Sequence, residues 1–314
     1  MEKKMNRTLI VGSRGSDLAV AQAKRVMKNI TPCDLRIIKT GGDKDQRAPL
    51  QQTSSIGFFT KEIQNELLGE KIDVAVHSLK DLPTKSPDGL EVTALLKRDD
   101  AGDILLARRD AIDESQPLGL ARNCAIGASS LRRGTLLKLY APQCRQSAIR
   151  GNVTTRIEKL KKGQYEGIIL ARAGLSRLGL DIGDLLAFDL NPSRWIPAPG
   201  QGIIAVEVRA EDIEAKERTA LLADRETVLA AGVERGLLSE LGGGCHVPFG
   251  AYAVRNGDSW NISLVHQAAN DGEVAHFEGS GTEEIMIKAQ RWLKEREATT
   301  MKEEWLWRPA AKWC

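Results

Sequence analysis

The chain has no run of about 18 apolar residues that could cross a bilayer. Its first residues, MEKKMNRTLIVGSRGS, lack the apolar stretch and small-residue cleavage site of a secretion signal. A cytoplasmic protein with no membrane partner is therefore expected. Cysteine is sparse and unpatterned: Cys33, Cys124, Cys144, Cys245 and Cys314 are scattered, odd in number and never part of a Cys-x-x-Cys pair. That argues against a disulfide framework and a cysteine zinc site, and for reduced thiols. Charge of one sign is also missing. Against 45 Lys and Arg stand 42 Asp and Glu, a formal net charge of +3, so nothing in the balance calls for nucleic acid. There is no P-loop and no serine–histidine–acid order. His77 and His246 do not form a metal-ligand spacing, so no metal is expected.

What is present is 314 residues with 42% hydrophobic content, enough for two or three cored domains. Strand and helix patterns alternate. RTLIVGS, DLRIIKT and KIDVAVHS read as strands; SDLAVAQAKRVMKNI, capped by Ser16 or Asp17, and TKEIQNELLGE, closed by Gly69, read as helices. KIDVAVHS is apolar on both faces, the pattern of a parallel sheet covered by helices. The grammar restarts at NCAIGAS and runs to AGLSRLGL, giving a second α/β unit. The charged turn in LLKRDDAGDILLARRD and the Pro/Gly-rich NPSRWIPAPGQGIIAVEVR read as two crossings between lobes, hence a hinge. From Thr219 one long helix is expected, then a glycine–cysteine loop, three antiparallel strands and an amphipathic helix. The fold class is thus α/β, two lobes followed by an α+β domain. The boundaries are 1–101 with a return segment 200–218, 102–199, and 219–314.

The polar end of DVAVHSLKDLPT follows a buried strand, where open α/β sheets bind ligands. His77, Lys80 and Asp81 are placed there, Asp81 as a candidate for stabilising a cation or holding N–H groups. In GASSLRRGTLL, Ser129 and Ser130 form a helix cap and put Arg132 and Arg133 in the first turn, against the helix dipole. Such a cost is repaid by a bound anion. Arg150 and Arg156 in RGNVTTR, Arg14 in VGSRGS and Arg177 in AGLSRLG follow other strands, so that together they would line one cleft for a substrate with several acidic groups. In GGGCHVP, three glycines hold Cys245 out on a loop, which suits a covalently held polyanionic group. A non-catalytic anion receptor is the alternative, but it has no need of the third domain or of Cys245.

VHSLKDLPT, GASSLRRGTLL, RGNVTTRI, AGLSRLGL, PAPGQG and GGGCHVPFGAYA, in this order over nearly the whole chain, resemble the hydroxymethylbilane synthase (porphobilinogen deaminase) family. The resemblance implies two lobes like those of periplasmic binding proteins and a third domain carrying a dipyrromethane cofactor, bound to Cys245 through a thioether. It implies head-to-tail condensation of four porphobilinogen molecules with loss of ammonia, then hydrolytic release of the linear hydroxymethylbilane. It makes Asp81 the catalytic aspartate, which stabilises the azafulvene cation, with Lys80 beside it. Both also serve the cofactor, with Arg132, Arg133, Ser129 and Ser130. Arg14, Arg150, Arg156, Arg177 and Gln201 are substrate-binding by the same resemblance, and nothing demands more than a monomer. The resemblance breaks at TSSIGFFTKE, where Ile56 stands in the position of a common family lysine while Lys61 is retained.

Overall fold

A computed structural model describes residues 7–39, 60–242, 247–267 and 272–306. Cys245, His246, the Ile56 loop and most of the tail WLWRPAAKWC lie outside the described residues.

Apolar runs bounded by polar turns make three sheets. The first is built from β1 (Leu9–Arg14), α1 (Asp17–Met27), β2 (Cys33–Ile38), α2 (Lys61–Leu68), β3 (Val74–Ser78) and β4 (Leu90–Leu95). The chain then crosses to β5 (Asp103–Ala107), β6 (Ala125–Gly127), α3 (Leu131–Tyr140), β7 (Arg145–Ser147), α4 (Val153–Lys161), β8 (Gly167–Ala171), α5 (Arg172–Leu178) and β9 (Leu186–Leu190). It returns through β10 (Ile204–Arg209) and α6 (Ile213–Ala220). The last elements are α7 (Arg225–Glu240), β11 (Phe249–Asn256), β12 (Ser259–Gln267), β13 (Gly272–Gly279) and α8 (Thr282–Leu306).

The first two sheets have matching orders, β2-β1-β3-β10-β4 and β7-β6-β8-β5-β9. In each, four strands run in one direction, and the fourth position is taken by the strand that arrives from the other lobe, which runs the opposite way. β10 is antiparallel to β3 and β4, and β5 to β8 and β9. The sheets are therefore mixed rather than parallel, because each lobe donates one strand's entry to the crossing. The two-sided burial read from KIDVAVHS is real: Val74 and Val76 pack in one core with Val26 of α1, and Ala75 packs in another with Ile63 and Leu67 of α2.

The single long helix expected from Thr219 is two helices. Asp224 accepts hydrogen bonds from Thr227 N (2.8 Å) and Oγ1 (2.7 Å), capping α7 and ending continuity with α6. Gly69 follows α2 at φ −81°, and the left-handed residue is Glu70, at φ 56°. The third domain is an antiparallel sheet, β11-β12-β13, with α7 and α8 packed on it.

Both crossings and the third domain meet at Glu234 of α7, which is fully buried. It accepts from Arg98 Nη1 (2.6 Å) on the outgoing crossing, Gly200 N (2.7 Å) on the return, and Ala253 N (2.8 Å) of β11. Replacing one side of a buried ion pair strands the other charge, typically at ~3–5 kcal/mol. Glu234→Ala is expected to lose about that much stability in chemical denaturation. A parent-like unfolding midpoint would show that the junction holds without this carboxylate.

Candidate functional site

The strand β3 ends in a single 3-10 turn, Leu79–Asp81. Leu79 is buried and its N–H donates to Ile203 O (3.0 Å), so the turn is fixed by the apolar residue between its polar neighbours. Gly200 at φ +73° lies against it, where a Cβ would meet Leu79 Cγ at 2.9 Å; only glycine lets the return segment come this close. From α7, Arg235 donates to Leu79 O (3.2 Å), Leu82 O (3.1 Å) and Pro83 O. The third domain thereby grips the segment that carries Lys80 and Asp81.

Arg132 and Arg133 are both buried on the first turn of α3, and their partner is Asp103, the first residue of β5. Arg133 donates through Nη2 to Oδ1 (2.7 Å) and through Nε to Oδ2 (3.1 Å), and Arg132 through Nη2 to Oδ2 (3.0 Å). Trp195 Nε1 (3.1 Å) and Gln201 Nε2 (2.8 Å) complete the set. Burial alone would raise the Asp103 pKa, but Arg133 and Arg132 hold it well below the ordinary carboxylate range. The arginines are therefore positioned by protein charge.

Gln201 links this core to the turn, since its Oε1 accepts from Lys80 Nζ (3.3 Å). Burial pushes Lys80 down to about 8, with Arg133 adding to the effect and Asp81 opposing it. Burial likewise pushes Arg156 down to about 10, with Arg133 and Arg150 repelling it and Asp81 opposing. Charges of the two lobes thus act on one another: Lys80 feels Asp81, Asp103, Arg132 and Arg133, and Arg156 feels Asp81, Arg133 and Arg150. Arg132 Nε and Arg150 Nη2 are buried with no hydrogen-bond partner among the described residues.

The remaining expected residues divide. Ser129 Oγ donates to Ile149 O (2.5 Å) and accepts from Ile149 N (3.0 Å), which ties two ligand-side loops together. Ser130 is the N-cap of α3 but makes no side-chain cap bond. Arg14 lines a cavity of about 80 Å³ with Ser16, Gln22, His77, Ser78 and Asp81. Arg177 stands apart: its Nε donates to Asp99 Oδ2 (2.8 Å) and its Nη2 to Gly202 O (2.7 Å), at the crossings. Arg25 of α1 shares the same carboxylate (2.7 Å).

Sequence reasoning did not single out Asp103, Glu234 or Arg235. The first was readable, as an acid opening an otherwise apolar strand in GDILLA. The other two look like ordinary charges of an exposed helix face. No helix among the described residues is long and apolar enough to cross a membrane, and no cluster of three or more His, Cys, Asp or Glu able to hold a metal occurs among them.

Residues 9–217 match the family model described as porphobilinogen deaminase, dipyromethane cofactor binding domain, and residues 228–298 match the porphobilinogen deaminase C-terminal domain. A probable porphobilinogen deaminase of Methanosarcina barkeri is 44% identical over 252 residues, covering 78% of this chain and 77% of that one. A porphobilinogen deaminase of an Exiguobacterium species is 37% identical over 288 residues, covering 90% and 92%. Among solved structures, a Salmonella typhimurium periplasmic binding protein with arginine specificity aligns with TM-score 0.40 at 11% identity, over 71% of this chain and 94% of that chain.

Since Lys80 loses its proton near pH 8, affinity for an acidic ligand is expected to fall as pH rises through about 8. In Lys80→Arg that fall should move to higher pH, because a guanidinium stays charged. A direct binding titration across pH 7–10, in which parent and variant weaken in parallel, would remove Lys80 from anion capture.

Proposed function

The chain belongs to the porphobilinogen deaminase family, and on that premise we propose how its own residues carry the reaction. The activity is that of a hydroxymethylbilane synthase, a transferase of tetrapyrrole biosynthesis acting on porphobilinogen with a dipyrromethane cofactor. Four porphobilinogen units are joined head to tail with loss of ammonia, and water releases the linear product. The observation that carries the assignment of roles is that Lys80 and, from the other lobe, Arg156 both feel the Asp81 charge, with Arg132, Arg133 and Arg150 acting on one or other of those two cations.

The residues present fit the cofactor. A dipyrromethane bears acidic arms and pyrrole N–H groups; the site offers cations in excess of carboxylates and two buried guanidinium nitrogens, on Arg132 and Arg150, without partners among the described residues. When bound through Cys245, the group supplies the terminal pyrrole carbon on which the chain is built. Arg132, Arg133, Ser129 and Ser130 are assigned to its acidic arms, with Lys80 and Asp81 beside it. Arg14, Arg150, Arg156, Arg177 and Gln201 are assigned to porphobilinogen and the elongating chain. Arg177 reaches that role only by leaving Asp99, its partner in this conformation.

Asp81 is the catalytic residue in this reading. Its carboxylate accepts pyrrole N–H hydrogen bonds and opposes the positive charge that develops as the amine departs. Lys80, held by Gln201, keeps a cation next to that carboxylate below about pH 8. Gln201 also donates to Ala101 O (2.8 Å), so the Lys80 contact is anchored to the outgoing crossing. The proposed organisation is residues 1–101 with 200–218 as the lobe bearing Asp81, 102–199 as the arginine lobe, and 219–314 as the cysteine-bearing domain. The protein is proposed to work in the cytoplasm as a monomer.

Two measurements test the reading. Intact mass should exceed that of the polypeptide by two pyrrole units, with the addition on the Cys245 peptide; bare polypeptide in an active preparation would refute it. Asp81→Ala should lower turnover at least ~10²-fold, within the range that loss of one transition-state electrostatic contact produces, while the far-ultraviolet spectrum stays parental. Near-normal turnover would take Asp81 out of the mechanism.

A further inference from the structure

One buried polar network opens on the Asp81 cavity and has no part in the scheme above. His77 is the fourth residue of β3, and its side chain is 3% exposed. Its Nε2 lies 3.1 Å from Oε2 of Glu207 on β10, whose side chain is 0% exposed. Gln64 of α2 donates through Nε2 to both Glu207 oxygens (3.0 and 3.2 Å). Among the described residues Glu207 has no lysine or arginine partner, and its side-chain contacts are His77 and Gln64. A buried carboxylate without such a partner costs several kcal/mol. Apolar side chains of similar size would fill the same space without that cost.

Nε2 is the ring nitrogen that faces Glu207, which leaves Nδ1 for a second partner; with Nε2 donating to the carboxylate, Nδ1 would carry the lone pair. His77 lines the cavity that Asp81 and Arg14 also line. Among the described residues the charged groups lining that cavity are Arg14 from β1 and Asp81 from the following turn, with Glu207 of β10 behind the ring. The α1 and α2 residues lining it, Ser16, Leu18, Ala19, Gln22, Thr60 and Ile63, carry no charge.

We propose that His77, oriented by Glu207, is the proton acceptor that serves the Asp81 cavity during chain growth; this rests on the reading of the site given above. In each condensation the aminomethyl C–N bond breaks and its electron pair leaves with nitrogen as ammonia. The acceptor pyrrole forms a C–C bond to the freed methylene carbon. The C–H bond at the acceptor position then breaks and returns its electron pair to the ring. The proton passes to His77 Nδ1 and from there to ammonia, which departs as ammonium, so atoms and charge balance without a further reagent. Glu207 acts through His77 and is a positioning residue; Asp81 keeps its own role beside the developing cation.

The test uses the holoenzyme and the His77→Gln and Glu207→Gln variants, with porphobilinogen carrying deuterium at its free α position. Removal of a general base costs about 10²-fold or more in rate. His77→Gln is expected to lower kcat by that order with KM little changed, and to gain a primary isotope effect absent from the parent. Glu207→Gln should show the same signature in weaker form. A separate readout needs no turnover: with only four histidines in the chain, ¹⁵N imidazole spectra should show His77 protonated on Nε2, and lose that preference in Glu207→Gln. Variants with parental kcat and no isotope effect, or a His77 protonated on Nδ1, would overturn the proposal and leave the pair as packing. If His77→Gln does not fold, Glu207→Gln and the parent's ¹⁵N spectrum still decide. An unaltered protein that releases no ammonia from porphobilinogen would instead sink the reading of the site itself.

Discussion

Two arginines adjacent in sequence cannot both be buried unless a carboxylate is buried with them, and Asp103 is that carboxylate. Its oxygens take hydrogen bonds from Arg132, Arg133, Trp195 and Gln201. Desolvating a guanidinium is repaid only by close, well-oriented acceptors. This cluster therefore sets where α3 begins relative to β5. It also explains how cations survive on the first turn of a helix, where the dipole disfavours them. With one carboxylate answering two guanidinium groups, the cluster keeps a net positive charge on fixed donors rather than on mobile surface side chains.

Around that fixed point the chain is arranged so that no lobe holds the site alone. Asp81 comes from the first lobe, the arginines from the second, and the grip on the Lys80–Asp81 turn from Arg235 in the third domain. Gln201, on the return crossing, bonds both to Asp103 and to Lys80. The two crossings are joined to the third domain through Glu234. The Lys80–Asp81 turn and both crossings are consequently tied to one helix, α7.

Much of this was legible in the residues. The alternation of strands and helices, the position of Lys80 and Asp81 after a doubly buried strand, and the placing of Arg132 and Arg133 on the first turn of a helix follow from local pattern. The long-range pairings were not legible. Asp103 lies 29 and 30 residues from its arginines, and nothing local in DILLA names a partner. Arg177 looks equivalent to the other strand-end arginines, yet Asp99 captures it at the crossing, a competition visible only once the chain folds back. The break at Asp224 was written in the sequence as an acid three residues before Thr227, but an unbroken apolar rhythm masked it.

The carboxylate of Asp99 is shared by Arg25, on a helix of one lobe, and Arg177, on a helix of the other. A bracket of this kind is partly open to solvent, so mobile ions weaken it by screening. Added salt would then act on this protein in two unlike ways: it dulls the attraction between the cleft and acidic molecules, and it slackens a strap that limits how far the two halves swing. The first effect hinders entry while the second frees movement, so the response to ionic strength should bend rather than follow one slope.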